Sequence, residues 1–106
     1  MTGFYLFPQK SPISKPRRIY ITVSNYLEME MTGAGDLVQD VSNLHHQLSR
    51  LSNLPNHSEA IMLISKWRDV LKGMQASDAL DDEQAKQMKL DVTTAHTSFD
   101  QFLENE

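Results

Sequence analysis

The sequence predicts an all-α fold: an antiparallel three-helix bundle or helical hairpin, preceded by an irregular N-terminal arm with room for one short β-strand. The main observation is that apolar residues recur at alternating spacings of three and four from position 37 onward, as in helices packed side by side. They form three seams: Leu37, Val41, Leu44, Leu48 and Leu51; Ala60, Ile64, Trp67, Leu71 and Met74; and Ala85, Met88, Val92, Ala95, Phe99 and Phe102. The links between the seams are short, which makes neighbouring helices antiparallel.

Residues 1–31 are predicted to form a flexible or strand-containing N-terminal arm. Three prolines lie within residues 1–17, so no continuous helix or long strand is expected there. Phe4 and Phe7 belong to an apolar run that is poorly suited to water. We therefore expect these aromatic side chains either to fold back onto the helices or to insert into a partner.

Residues 18–23 show the alternation of a half-buried strand. Ile19, Ile21 and Val23 fall on one side of an extended chain, and all three are β-branched. A lone strand is unstable, so this one would pair with a second copy, pair with another protein's sheet edge, or be drawn into helix or coil.

The remaining domain, residues 32–106, is predicted to hold three helices over residues 36–52, 57–75 and 82–103. Asp36 suits the positive end of the first helix, and Pro55 disfavours helix at the residue before it. The next two helices begin with residue pairs of capping-box spacing, Asn56 with Glu59 and Asp81 with Gln84.

Charge and composition narrow the class of partner. The chain of 106 residues has a net charge of −4, and residues 32–106 hold six basic against twelve acidic side chains. An acidic helical body is a poor match for phosphates, so a nucleic-acid partner is possible but disfavoured.

With no cysteine, a short helical chain must gain stability by association, and we expect a homo-oligomer or a dedicated protein partner. No secretory signal or membrane-length apolar run is evident, so we expect a cytoplasmic protein with no membrane contact.

The pattern of polar residues does not indicate catalysis. His45 and His46 are adjacent and diverge by about 100° on a helix, so they are unlike a helical metal pair. No phosphate-binding glycine loop and no nucleophile motif is present. We therefore predict a protein that is not an enzyme and has no cofactor or metal site.

Function is instead predicted to reside in helix packing. The favoured hypothesis is a small module for protein–protein interaction, an adaptor, chaperone or assembly subunit that uses coiled-coil-like packing. Leu63 and Val70 form an apolar stripe beside the second seam, beyond what the seam itself needs. Trp67 is expected mainly to anchor the core, with an exposed interface role as the alternative. The predicted partner-binding residues are Leu63, Val70, Trp67, Leu37, Leu44, Phe4 and Phe7.

An alternative hypothesis is a dimeric DNA-binding regulator of ribbon-helix-helix type. A strand at residues 18–23, a short capped helix and a longer helix follow the order of that class. The strand would present Arg18, Tyr20 and Thr22 to the bases, with Arg17 beside them. Few basic residues lie nearby to neutralise phosphates, which disfavours this hypothesis.

Overall fold

The chain forms an antiparallel bundle of four α-helices in the computed structural model, which describes residues 14–104. The helices are α1 (Ser14–Glu28), α2 (Ala34–Ser49), α3 (Glu59–Lys72) and α4 (Asp82–Glu104). Each helix packs against the next, and α4 returns to pack against α1, so the four form a closed ring. The all-α prediction is confirmed, but the described bundle has four helices rather than three.

The prediction of a strand at residues 18–23 is wrong, because α1 runs through this segment. Its buried residues recur at helical spacing on one face of the helix, and β-branched side chains are tolerated there because that face packs against other helices. Those residues are Pro16, Ile19, Tyr20, Val23 and Leu27. Pro16 lies in the first turn, where its missing N–H has no partner within the helix to lose. Residues 14–28 are therefore neither an irregular arm nor a strand.

The other three helices lie close to their predicted positions. α2 begins two residues before its predicted start and ends at Ser49 rather than residue 52. α3 is shorter than predicted, because Ser58 is its N-cap residue and Gly73 its C-cap residue. Asp81 and Gln84 form the predicted reciprocal cap of α4, each backbone N–H donating to the other side chain at 2.8–3.1 Å.

The core lies along the axis between the helices. α2 contributes five buried residues at the spacing of its seam, and α3 and α4 contribute further residues of theirs. The fully enclosed large side chains include Tyr20, Leu37, Leu44, Leu48, Ile64, Leu71, Met88, Val92 and Phe99. Leu54 and Leu80 extend the core into the connecting loops.

At one end of the bundle, backbone hydrogen bonds join two loops. The Ala34 N–H donates to the Asp78 carbonyl at 2.8 Å, and the Leu80 N–H donates to the Thr32 carbonyl at 3.0 Å. A Cβ on Gly35 would lie 3.0 Å from a backbone oxygen of the opposite loop, so only glycine fits this approach without movement. The α1–α2 and α3–α4 connections therefore hold each other in place.

Candidate protein-interaction surface

A buried carboxylate joins α3 to α4. Asp91 Oδ2 accepts hydrogen bonds from Lys66 Nζ and Trp67 Nε1, both at 2.8 Å. Its Oδ1 accepts one from Gln87 Nε2 at 3.0 Å. The Lys66 ammonium also lies 5.3 Å from the centre of the Trp67 ring, within reach of a cation–π interaction. All three donors converge on one side chain; the two from α3, Lys66 and Trp67, fix the register of α3 against α4, while Gln87 lies on α4 itself.

The ionisation of Asp91 reflects two opposing effects. Burial raises its pKa, but hydrogen bonds from Lys66, Trp67 and Gln87 and the nearby ammonium charge outweigh burial, so the pKa lies below its ordinary value. The carboxylate is therefore charged in the folded chain at neutral pH and accepts hydrogen bonds with both oxygens.

Tyr20 ties α1 into the bundle. Its side chain is fully buried, and its hydroxyl donates to the Ala60 carbonyl at the start of α3 at 2.8 Å. The ring stacks on His96 of α4, with ring centres 4.9 Å apart and planes 4° from parallel, and meets Phe99 at 5.6 Å. Burial, together with the nearby Asp100 charge, raises the pKa of Tyr20 far above its ordinary value. One side chain thus connects α1 to both α3 and α4.

A polar contact crosses from α2 to α3. Arg68 donates from its guanidinium to Nδ1 of His45 at 2.8 Å, which requires that nitrogen to be unprotonated. Burial, followed by the charge of Arg68, lowers the pKa of His45. The imidazole is therefore a neutral acceptor at neutral pH.

Several large apolar side chains remain on the outside of this fixed scaffold. Ile21 on α1 is 50% exposed, Met62 on α3 is 53% exposed and Leu90 on α4 is 63% exposed. Met29 and Met31, in the loop after α1, are also exposed. A rigid helical bundle with outward-facing aliphatic side chains offers preformed anchor points for another protein.

Comparison with known proteins identifies the family. The family model described as VPS28 protein matches residues 9–103, which include nearly all of the four helices. The chain belongs to the VPS28 protein family. It is 31% identical over 84 residues to a vacuolar protein sorting-associated protein 28 homolog of Caenorhabditis elegans, covering 79% of this chain and 40% of that protein.

Other curated relatives show the same relationship. The Caenorhabditis briggsae homolog is 29% identical over 84 residues, with the same shares of both chains covered. Homolog 1 of Arabidopsis thaliana is 31% identical over 80 residues, covering 76% of this chain and 38% of that protein. The chain thus spans about 40% of the length of the VPS28 relatives that it matches.

The structure of this VPS28-family chain places three of the seven predicted partner-binding residues inside the bundle. Leu37 and Leu44 are fully buried by the chain's own helices, and Trp67 is 4% exposed. All three are core residues here, which corrects the interface role predicted for Leu37 and Leu44 and excludes the exposed alternative for Trp67. Leu63 and Val70 are partly buried and pack against the core. Phe4 and Phe7 lie outside the described residues.

The alternative DNA-binding hypothesis is wrong. Tyr20 cannot reach a base because it is buried with its hydroxyl on α3. Thr22 donates to the Arg18 carbonyl within α1, and Arg17 lies 3.8 Å from Asp100 of α4. No two-stranded ribbon can form from residues that are helical, and the VPS28 relatives are named for vacuolar protein sorting rather than for DNA binding.

Sequence reasoning missed the residues that organise this VPS28-family surface. Asp91 lies next to the third seam, one turn after Gln87, and that position could have suggested a buried polar group on α4. Its α3 donors could not be known without the helix register. The alternating pattern predicts Ile21 to lie in a strand, and Leu90 does not belong to the third seam.

Within residues 14–104 of this VPS28-family chain, no group of three or more histidine, cysteine or acidic side chains is placed to hold a metal ion. None of the four helices combines the length and the apolar content needed to cross a membrane.

Proposed function

We propose that this chain is a non-enzymatic helical interaction module that serves in an ESCRT-I subunit for vacuolar and endosomal protein sorting. The observation that carries the proposal is the match to the VPS28 family across residues 9–103, because the curated relatives are named as vacuolar protein sorting-associated proteins. We further propose that it acts on the cytosolic side of endosomes.

The physical character of the bundle supports a binding role. Its helices are held in register by the hydrogen bonds from α3 to Asp91 and by the contacts of Tyr20, so partner binding requires little reorganisation of the backbone. Exposed Ile21, Met62 and Leu90 supply the apolar contacts that typically contribute most to interface energy.

Among the roles in the adaptor, chaperone and assembly class, an adaptor or assembly subunit is favoured. A chaperone needs an adaptable apolar surface, whereas the large apolar side chains of this chain are mostly buried and two of its loops are joined by backbone hydrogen bonds. Leu63 and Val70, at the margin of the core, remain predicted partner contacts. The expected homo-oligomer has less physical support, because α1 covers apolar surface that three helices would have left open.

The proposal is tested by a chimera in the C. elegans relative. The 84 matched residues of that protein are replaced by the corresponding part of this chain, and sorting of a vacuolar or endosomal cargo is measured in animals that lack the native protein. We expect sorting to be restored, together with recovery of the chimera in the complex of the other ESCRT-I subunits.

A matched control separates folding from function. Val41 is fully buried, so Val41→Asp should unfold the inserted segment and abolish rescue. A wild-type chimera that accumulates normally and folds, yet neither enters the complex nor restores sorting, would contradict the proposed function.

A further inference from the structure

Charge is divided unevenly along the chain. Residues 1–27 contain four basic side chains and no acidic one, whereas residues 28–106 hold six basic against fourteen acidic side chains. The four basic residues are Lys10, Lys15, Arg17 and Arg18. An acidic protein therefore begins with a cationic segment, and such a separation of sign is typical of a surface that binds an anionic partner.

The first turns of α1 expose part of this cationic segment. Lys15 and Arg18 are both exposed and lie three residues apart, so they are neighbours on the surface of the helix. Pro16 and Ile19, between and beside them, are buried against the bundle. Neither Lys15 nor Arg18 forms an ion pair with any residue in 14–104. Both charges are therefore available to a partner.

The acidic side chains of α4 at this end of the bundle face a different side of α1. Arg17 Nε lies 3.8 Å from Asp100 Oδ1, and Arg17 shares a cleft with Glu104. Around the helix axis, Lys15 is about 160° and Arg18 about 100° from Arg17. The charge of Arg17 is thus offset by α4, whereas Lys15 and Arg18 point away from those carboxylates. The acid at the start of α3 belongs to the helix diagonally opposite α1.

The neighbouring part of α2 adds no acidic side chain. Because α1 and α2 are antiparallel and joined by a short loop, the second half of α2 lies beside the first half of α1. Residues 41–58 contain no aspartate or glutamate, and Arg50 directly follows α2. The first acid towards the other end is Asp40, level with about residue 22 of α1. This end of the α1–α2 pair is therefore cationic.

Apolar side chains accompany these cations. Ile21 lies one turn after Arg18 and is 50% exposed. In the sequence, residues 4–7 form the run Phe-Tyr-Leu-Phe, which lies outside the described residues. The seven positions from Phe7 to the start of α1 span at most about 25 Å, so the run is tethered near the cationic end. Aromatic and aliphatic residues beside lysine and arginine are typical of segments that bind an anionic membrane surface.

We propose that the start of α1, together with Lys10 and residues 4–7, binds the surface of a membrane that contains anionic lipids. Lys10, Lys15 and Arg18 approach the headgroup phosphates, and the apolar run enters the boundary between headgroups and acyl chains. A nucleic acid is the less suitable polyanion, because it offers no apolar layer for Leu6 and Ile21.

Such a contact needs no helix that crosses the membrane. It therefore replaces the expectation, drawn from the lack of a membrane-length apolar run, that the chain makes no membrane contact. The inference goes beyond the proposed function and does not depend on the family match.

The first test is co-sedimentation of the full chain with sucrose-loaded vesicles. Vesicles of phosphatidylcholine with about 30% phosphatidylserine should bind the chain at least about tenfold more strongly than phosphatidylcholine alone. Binding should fall steeply as sodium chloride rises from about 0.1 to 0.5 M, because salt screens exposed charges.

Matched pairs of substitutions locate the cationic site. Lys15→Gln with Arg18→Gln should weaken binding about tenfold or more, since each cation near an anionic surface contributes about fivefold. Lys72→Gln with Lys86→Gln makes the same change in net charge at exposed positions near the other end of the bundle and should change binding less than about twofold. All four positions are exposed, so circular dichroism should show unchanged folding.

The apolar run is tested separately. Phe4→Ala with Phe7→Ala should weaken vesicle binding about tenfold and leave the midpoint of urea unfolding unchanged. A lower midpoint with unchanged vesicle binding would assign the run to the bundle itself and overturn its proposed role.

Three other outcomes would overturn the inference: no preference for phosphatidylserine, equal effects of the two cation pairs, or binding of duplex RNA that is as tight and is insensitive to Phe4→Ala with Phe7→Ala. These results are separable from the proposed function. A chimera that sorts cargo while the chain ignores anionic vesicles removes the membrane site alone, and a chimera that fails to sort while vesicle binding persists removes the function alone.

Discussion

Replacing Asp91 by alanine is expected to destabilise the bundle more than any comparable change at a polar residue of the described chain. Among residues 14–104 the carboxylate is the acceptor for the indole N–H of Trp67, and it also accepts hydrogen bonds from Lys66 and Gln87. Removing it leaves a buried donor without a partner and a lysine without its counter-charge.

The magnitude follows from the surroundings of each donor. An unsatisfied buried N–H costs about 1–3 kcal/mol. The Lys66 side chain is 50% exposed, so solvent screening limits the loss of its ion pair to less than about 1 kcal/mol. We therefore expect Asp91→Ala to lower the free energy of unfolding by about 1–4 kcal/mol. In a domain of this size that is a fall in Tm of roughly 5–30 °C.

Urea unfolding provides the assay, because Trp67 is the only tryptophan and reports directly on this site. Far-ultraviolet circular dichroism should give the same midpoint. Asp91→Asn keeps an acceptor for the indole and should cost about half as much, and Lys66→Met should cost less than about 1 kcal/mol. A loss below about 0.5 kcal/mol for Asp91→Ala, or an equal loss for Lys66→Met, would refute this reasoning.

The same site has a pH signature. The pKa of Asp91 is lower in the folded chain than its ordinary value of 3.8, so the unfolded chain binds this proton first. Its contribution is therefore fully present above the ordinary pKa and is lost as pH falls through the folded pKa. Asp91→Ala should remove part of the acid-induced loss of stability between pH 5 and 2.

Three smaller predictions test other contacts between the helices and loops of the bundle. Tyr20→Phe removes the hydroxyl that donates to Ala60 and should cost about 1 kcal/mol in urea unfolding, with the aromatic stacking retained; no change would mean that this hydrogen bond has no net effect. Gly35→Ala places a Cβ 3.0 Å from the Ala76 carbonyl oxygen. Although alanine has the better helix propensity, we expect this contact to lower the free energy of unfolding by about 0.5–2 kcal/mol, measured by thermal unfolding. A higher free energy of unfolding would show that the two loops separate easily. The pKa of His45 is lowered in the folded chain, so the contribution of this side chain to stability should be fully present above pH 6.5 and decline as pH falls. His45→Gln should therefore reduce the change in the free energy of unfolding between pH 7 and 5. An unchanged pH dependence would contradict a neutral His45 in the folded chain.

The three seams were predictable because their spacing was unambiguous. The apolar residues of each seam recur at spacings of three and four residues, and no competing period fits those segments. The seams include Val41 and Leu48 in the first, Ile64 in the second and Val92 in the third. Their burial in the structure follows from the same pattern. Helix ends were less accurate, because Ser58 rather than the predicted capping pair begins α3.

The first helix was not predictable with the same certainty because two periods overlap there. Ile19, Ile21 and Val23 alternate as in a strand, whereas Ile19, Val23 and Leu27 are spaced as in a helix. Packing against α2 and α4 favours the helical period and leaves Ile21 exposed. A sequence without its tertiary contacts cannot supply that information.

The candidate site was less predictable than the fold. Contacts such as Tyr20 to Ala60, forty positions apart, depend on how separate helices meet. The apolar residues expected at an interface, including Leu37 and Leu44, were the most regular ones, and regular spacing places residues in the core. The residues that face outward, Ile21 and Leu90, are those that depart from the seam pattern.

Backbone amide hydrogen exchange of residues 18–27 tests the central claim most directly, because the four-helix bundle requires α1 to be a packed helix. We expect the amides of Tyr20, Val23 and Leu27 to exchange only through global unfolding, at the same free energy as those of Leu44 and Val92. Exchange of the α1 amides at rates near those of an unstructured peptide, with α2 to α4 still protected, would contradict the account.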